Sequence, residues 1–210
     1  MTPEEFSAAY PCLYHMAEAA MWPNIRRDGL LSTSALLDLY GVTGAARAVI
    51  ETQRRSGFMA IEDARLGTAL IRDQRPMSDA TLAPVLIDMT PAEWYALLNT
   101  RVFFWVNEGR LERLLKAYRH RENLVLVLDT AAVLARHAAQ VTLSPINSGY
   151  SLRYAQPRGR GTFLPLADYP FKDWVKKRGL ADAVAECAVL GGVTDVQAAL
   201  IETRAVPATK

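Results

Sequence analysis

One carboxylate stands alone in an apolar run near the end of the chain, Val184-Ala185-Glu186-Cys187-Ala188-Val189-Leu190-Gly191-Gly192-Val193-Thr194-Asp195. The run reads as a short core strand, a Gly-Gly turn and the start of a last helix. Strand side chains alternate between faces, so Val184, Glu186, Ala188 and Leu190 share one face. Taking a lone carboxylate out of water costs several kcal/mol, in round terms, unless partners or a site compensate. Glu186 is therefore a candidate catalytic carboxylate at the end of a core strand. The plainer reading is a rim strand whose Glu meets solvent.

Other groups with chemical potential lie far from Glu186 in the chain. His15 closes the apolar run Cys12-Leu13-Tyr14-His15-Met16. It is either a hydrogen-bonded structural residue or a ring with one nitrogen fixed by backbone and the other free for a ribose hydroxyl. Phe103-Phe104-Trp105 suits a core strand, and one of its rings could instead stack a flat heterocycle. Asn147-Ser148-Gly149 is a turn by composition, with polar groups suited to a base. Arg158 and Arg160, next to Gly159 and Gly161, fit a solvated loop or phosphate contacts. Generic phosphate-loop, dinucleotide, zinc-protease and nucleophile-elbow motifs do not occur. Cys12, His15 and Cys187 are too few for a structural zinc site, and no metal is expected.

The elements that must position these groups are legible in part. Thr2-Pro3-Glu4-Glu5 and Thr90-Pro91-Ala92-Glu93 have the form of capping boxes, predicting helices to about Ala9 and through Leu98. Helices are also predicted over Ala17 to Arg27, Ser34 to Tyr40, Thr43 to about Arg55, Gly109 to Tyr118 and Thr130 to His137. Ser78 caps a short helix through Val85. Strands are predicted over Cys12 to Met16, Arg101 to Val106, Leu124 to Asp129 and Val141 to Leu143, with Thr68 to Arg72 a further candidate. A last helix is predicted from Asp195 to about Thr203, followed by a flexible tail at 205–210.

Composition narrows the classes. With 210 residues, half of them hydrophobic and 22% charged, the chain fits one folded domain, taken as residues 1–204 with a helical insert at about 35–98. A net charge of +2 neither requires nor excludes a nucleic-acid partner, so any basic patch must be local. Two cysteines make no disulfide framework, and the acidic, helix-starting N-terminus is unlike a secretory leader. A cytoplasmic location is the expectation, with no membrane partner.

Taken in order, the pieces resemble the ADP-ribosyltransferases. Tyr14-His15-Met16 followed by Ile25-Arg26-Arg27-Asp28-Gly29-Leu30 is similar to their aromatic-His strand and I-x-x-x-G-L segment. Val102-Phe103-Phe104-Trp105-Val106-Asn107 resembles their second aromatic strand. Ala185-Glu186-Cys187-Ala188-Val189, then Gly192-Val193, looks like the strand that supplies the catalytic glutamate. The nearest group is the DarT type, bacterial DNA-modifying toxins, in which Val141 to Asn147 would match a loop ending in asparagine. The resemblance implies an α+β fold, a split β-sandwich with flanking helices and a helical insert. It implies NAD as co-substrate, Glu186 and Arg110 as catalytic residues, and His15, Tyr14, Leu31, Ser32, Phe103, Phe104 and Trp105 around NAD. Asn147, Ser148, Arg158 and Arg160 would meet the acceptor. Single-stranded DNA or another nucleic acid, and an antitoxin-like protein, are the implied partners. The same fold acting on protein, small molecule or RNA 2′-phosphate, and a catalytically silent nucleotide- or nucleic-acid-binding module, are the alternatives.

Overall fold

The structure, a computed structural model, describes residues 1–153 and 155–209. It is an α+β molecule built on one large antiparallel sheet. The first half contributes helix α1 (Pro3–Ala9), strand β1 (Cys12–Glu18), helix α2 (Trp22–Asp28), the short strand β2 (Leu30–Leu31) and helices α3 (Thr33–Leu39) and α4 (Gly44–Thr52). A hairpin of β3 (Met59–Asp63) and β4 (Gly67–Ile71) follows, then α5 (Asp79–Leu82) and α6 (Pro91–Asn99). The second half runs β5 (Arg101–Trp105), α7 (Glu108–Ala117), β6 (Asn123–Asp129), α8 (Thr130–His137), β7 (Val141–Ser144), β8 (Leu164–Pro165), α9 (Phe171–Arg178) and α10 (Leu180–Ala183). It ends with β9 (Glu186–Leu190), β10 (Gly192–Val193), α11 (Val196–Ala199) and β11 (Leu200–Val206).

Local chemistry sets many of these boundaries. Thr2 and Glu5 close a reciprocal capping box on α1, and Thr90 and Glu93 do so on α6, each satisfying donors that the first turn leaves free. Asp129 caps α8 through the Ala132 amide. Ser32 caps α3 through the Ala35 amide, which commits its hydroxyl to the fold. Pro23 sits in the first turn of α2, and Gly29, at φ 89°, ends it where a Cβ would lie 2.6 Å from Thr194 Cα.

Seven strands form the main sheet in the order β11-β6-β1-β5-β9-β7-β8. β6 is buried over nearly its whole length because β1 and β11 pair with it on either side. One face of the sheet packs Leu13, Phe104, Leu126, Leu143 and Cys187 into the largest core, against α1 and α8. In place of two separate sheets, the two halves of this sheet meet where β1 and β5 touch in a single register pair, Tyr14 with Trp105. Beyond that pair the strands part. Continuing the ladder would bring Met16 opposite Phe103. Instead the Phe103 carbonyl meets Nδ1 of His15 at 2.9 Å, and the Met16 carbonyl accepts from Arg72 Nη1 at 2.8 Å. Side chains thus satisfy backbone groups that the split frees from the ladder.

Three expectations change. The insert is not wholly helical: the β3–β4 hairpin is its centre, with Ile61, Ala69 and Ile71 packed on Leu37 and Ile50. The helix predicted from Ala17 is a continuation of β1 to Glu18, then a 3-10 turn at Ala19–Met21 before α2. The predicted last helix stops at Ala199, and Leu200–Val206 becomes an edge strand on β6, so Ala205 and Val206 are not tail. Thr209 still donates its amide to the Arg119 carbonyl at 2.7 Å. Lys210, the last residue of the expected tail, lies outside the described residues. Among the described residues no helix is long and apolar enough to cross a membrane.

Candidate active site

A cavity of about 980 Å3 opens at the split between β1 and β5. Glu186 and His15, distant in sequence, both line it. Tyr14, Phe103, Phe104 and Trp105 border it from the two parted strands, and Leu31 and Ser32 from β2 and the start of α3. Asn147, Ser148 and Arg110 complete the set of anticipated residues at its wall.

Glu186 begins β9 and stands in register with Trp105 on one side and Ser144 on the other. A row Tyr14–Trp105–Glu186 therefore crosses the junction of the half-sheets. Only 4% of Glu186 is exposed. Its Oε2 accepts the Ser148 backbone amide at 3.0 Å. Burial pushes the carboxyl up to about 7, partly opposed by the Ser148 hydroxyl and amide and then by the charges of Arg158 and Arg110. A buried acid that exchanges its proton near neutrality is suited to general acid–base work.

His15 is fixed through Nδ1. A carbonyl only accepts, so the contact with Phe103 O requires the proton on Nδ1 and leaves Nε2 as an acceptor in the neutral ring. Burial pushes the imidazole down to about 4, so it is neutral at neutral pH. Its ring rests 5.6 Å from that of Phe104. The aromatic strand divides its rings by alternation. Phe104 is buried on the His15 side, whereas Phe103 and Trp105 are half-buried on the face of Glu186.

The arginines separate into three roles. Arg110, in the first turn of α7, lines the cavity and donates from Nη2 to Asp182 at 2.6 Å, while its Nε is buried without a partner among the described residues. Arg158 is not in a solvated loop and does not line the cavity. It is 2% exposed, and its guanidinium donates to the Ser148 carbonyl at 3.0 Å and the Gln156 carbonyl at 3.1 Å, with Trp94 below it. It acts behind the site, on the loop that holds Glu186. Arg160 lies outside the cavity, in an exposed pair with Glu93 at 2.7 Å.

Asn147 is exposed at the rim, and its Oδ1 accepts the Gly149 amide at 3.1 Å. Ser148, expected to meet the acceptor, lines the cavity and also orients the carboxylate through its amide. Arg72, Tyr150 and Asp182, none of them marked as site residues by the sequence, are also at the cavity wall. Arg72 ends an apolar strand run, which is the one sequence signal that marks it.

The arrangement offers a near-neutral acid, a neutral histidine acceptor and half-buried aromatic faces around one cleft. That combination suits polarised sugar chemistry on a flat-ringed ligand. Among the described residues no group of three or more His, Cys, Asp or Glu is placed to hold a metal ion. The profile of a family of unknown function (DUF7002) matches residues 11–200. No curated protein and no solved structure matches the chain.

Proposed function

The chain belongs to this family of unknown function (DUF7002), and on the chemistry of its cleft we propose that it is an NAD-dependent mono-ADP-ribosyltransferase acting on a nucleic acid, with DNA favoured. One observation carries the reading: a carboxylate buried to 4% exposure shares a cavity with a backbone-locked, neutral histidine. The split of the sheet between β1 and β5 is the feature that suits an ADP-ribosyltransferase-like sandwich.

In this reading the bond between nicotinamide and ribose C1′ breaks, and its electron pair leaves with nicotinamide. Positive charge builds on the ribose, and the ionised Glu186 stabilises it. A nucleophilic nitrogen or oxygen of the acceptor then bonds to C1′ and gives its proton to Glu186. His15 Nε2 accepts from a ribose hydroxyl. Trp105, in register with Glu186, offers the ring for nicotinamide. Arg110 assists the acceptor from the rim.

A nucleic-acid acceptor is supported by α9. Lys172, Lys176, Lys177 and Arg178 cluster on it, with Lys177 Nζ and Arg178 Cζ at 5.1 and 4.2 Å from the Trp174 ring. Arg178 also donates to the Pro145 carbonyl, so this basic helix borders the loop that reaches Ser148. Incubation with labelled NAD and, in parallel, single-stranded DNA, duplex DNA, RNA and a protein mixture tests the proposal. Label is expected on DNA. Label on protein alone would move the acceptor to another class, and no nicotinamide release with any acceptor would remove the transferase reading.

A further inference from the structure

The insert delivers a cation to the cleft that the transfer chemistry above does not use. Arg72 directly follows β4, and its Nη1 bonds the Met16 carbonyl, one residue from His15. Its Cζ lies 4.3 Å from the Tyr118 ring and 5.8 Å from that of Phe58. Its own carbonyl is clamped by Arg55 Nε at 2.9 Å, so the residue is held from both ends. Arg72 lines the cavity, yet its Nη2 is buried and has no hydrogen-bond partner among the described residues.

The neighbouring charges do not neutralise it. Asp73 takes the Tyr118 hydroxyl and faces Arg75 at 3.0 Å, and Glu18 takes Arg121 at 2.7 Å. Arg55, Arg72, Arg75 and Arg121 thus outnumber Asp73 and Glu18 by two, and Arg72 is hydrogen-bonded to neither acid. Arg72 is half-buried, and an idle buried donor on a guanidinium is costly unless something anionic completes it. Phosphoryl oxygens match that fork in geometry and charge.

We propose that Arg72, from the hairpin insert, is the anchor for a phosphoryl group of the ligand whose ribose reaches His15. The inference rests on the NAD reading for naming that group the diphosphate; the anion site itself needs only the geometry around Arg72. It also gives the insert a task, completing the ligand cleft.

Calorimetry on the full chain and its Arg72→Gln variant tests this with ADP-ribose, NAD, nicotinamide and inorganic pyrophosphate. The variant should bind ADP-ribose and NAD at least ~10-fold more weakly, as expected for a lost charge-assisted hydrogen bond. Nicotinamide, which has no phosphate, should bind equally well to both. Unchanged ADP-ribose affinity, or an equal loss for nicotinamide, would overturn the proposal. If the variant does not fold, competition in the unaltered chain decides. Pyrophosphate must displace ADP-ribose, and failure to displace it would sink the anchor. Arg72-dependent pyrophosphate binding without any NAD binding would keep the anion site and discard the NAD reading.

Discussion

The Ser148 amide donates to Glu186 Oε2 at 3.0 Å, while the Ser148 carbonyl is held by Arg158 at 3.0 Å. One peptide segment thus connects a buried acid to a buried base that never reaches the cavity. Glu186 is set by the loop after β7 as much as by its own strand.

That burial has a stability signature. The folded carboxyl titrates at about 7 against an ordinary 4.5, so between those values the folded chain keeps a proton that the unfolded chain has lost. The contribution of this group is therefore full below 4.5 and disappears as pH rises to about 7. Glu186→Gln, neutral throughout, should be more stable than the parent above neutrality by up to ~3 kcal/mol. The advantage should vanish in acid. Urea denaturation across pH measures it, and a pH-independent difference would contradict the assignment.

Arg158 should act as a positioning residue. Arg158→Lys keeps a charge but cannot reach both the Ser148 and Gln156 carbonyls with a planar fork. Transfer should slow ~10-fold with little change in KM for NAD. The pH–rate profile, which rises as Glu186 ionises, should move to higher pH because a Ser148 segment no longer held by the fork loosens its hydrogen bonds to Glu186, and those bonds help hold that carboxyl down. A slower enzyme with an unmoved profile would make Arg158 merely structural.

His15 carries the opposite pH dependence. Burial takes its imidazole from the ordinary 6.5 to about 4, so its contribution to stability is present above 6.5 and lost as pH falls towards 4. His15→Gln should remove that acid-side loss and raise KM for NAD, because the Nε2 acceptor is displaced. Parallel acid-unfolding curves for the two chains would refute the neutral, Nδ1-bound ring.

Gly192 lies in the short β2–β10 ladder that presents Leu31 and Ser32 to the cavity. Its φ is 120°, and a Cβ would sit 2.3 Å from the Leu30 carbonyl oxygen. Gly192→Ala should cost about 3 kcal/mol or more, through backbone strain and clash together. Thermal unfolding reads this directly, and a shift within a degree or so of zero would show the ladder yields.

What the sequence disclosed was mostly local. The Thr2 and Thr90 capping boxes are short-range hydrogen bonds between named residue types, and they appear where the spacing predicts them. The lone charge in a core strand was legible for the same reason: Glu186 contradicts its own surroundings. Long-range partners were not legible. Leu200 to Thr203 reads as helix, and Ala205 and Val206 as tail, until β6 offers an edge. Arg158 reads as solvated because nothing local to it shows Trp94 or the Ser148 carbonyl. Arg72 acquires meaning only from the split between β1 and β5, which no segment carries by itself.

The most direct measurement is nicotinamide release and labelled transfer by the parent chain and by Glu186→Gln, with NAD binding followed alongside. The expected result is a loss of at least ~10²-fold in rate with NAD affinity largely kept, as for removal of one preorganised electrostatic group. Parent-like transfer by the Gln chain would contradict it.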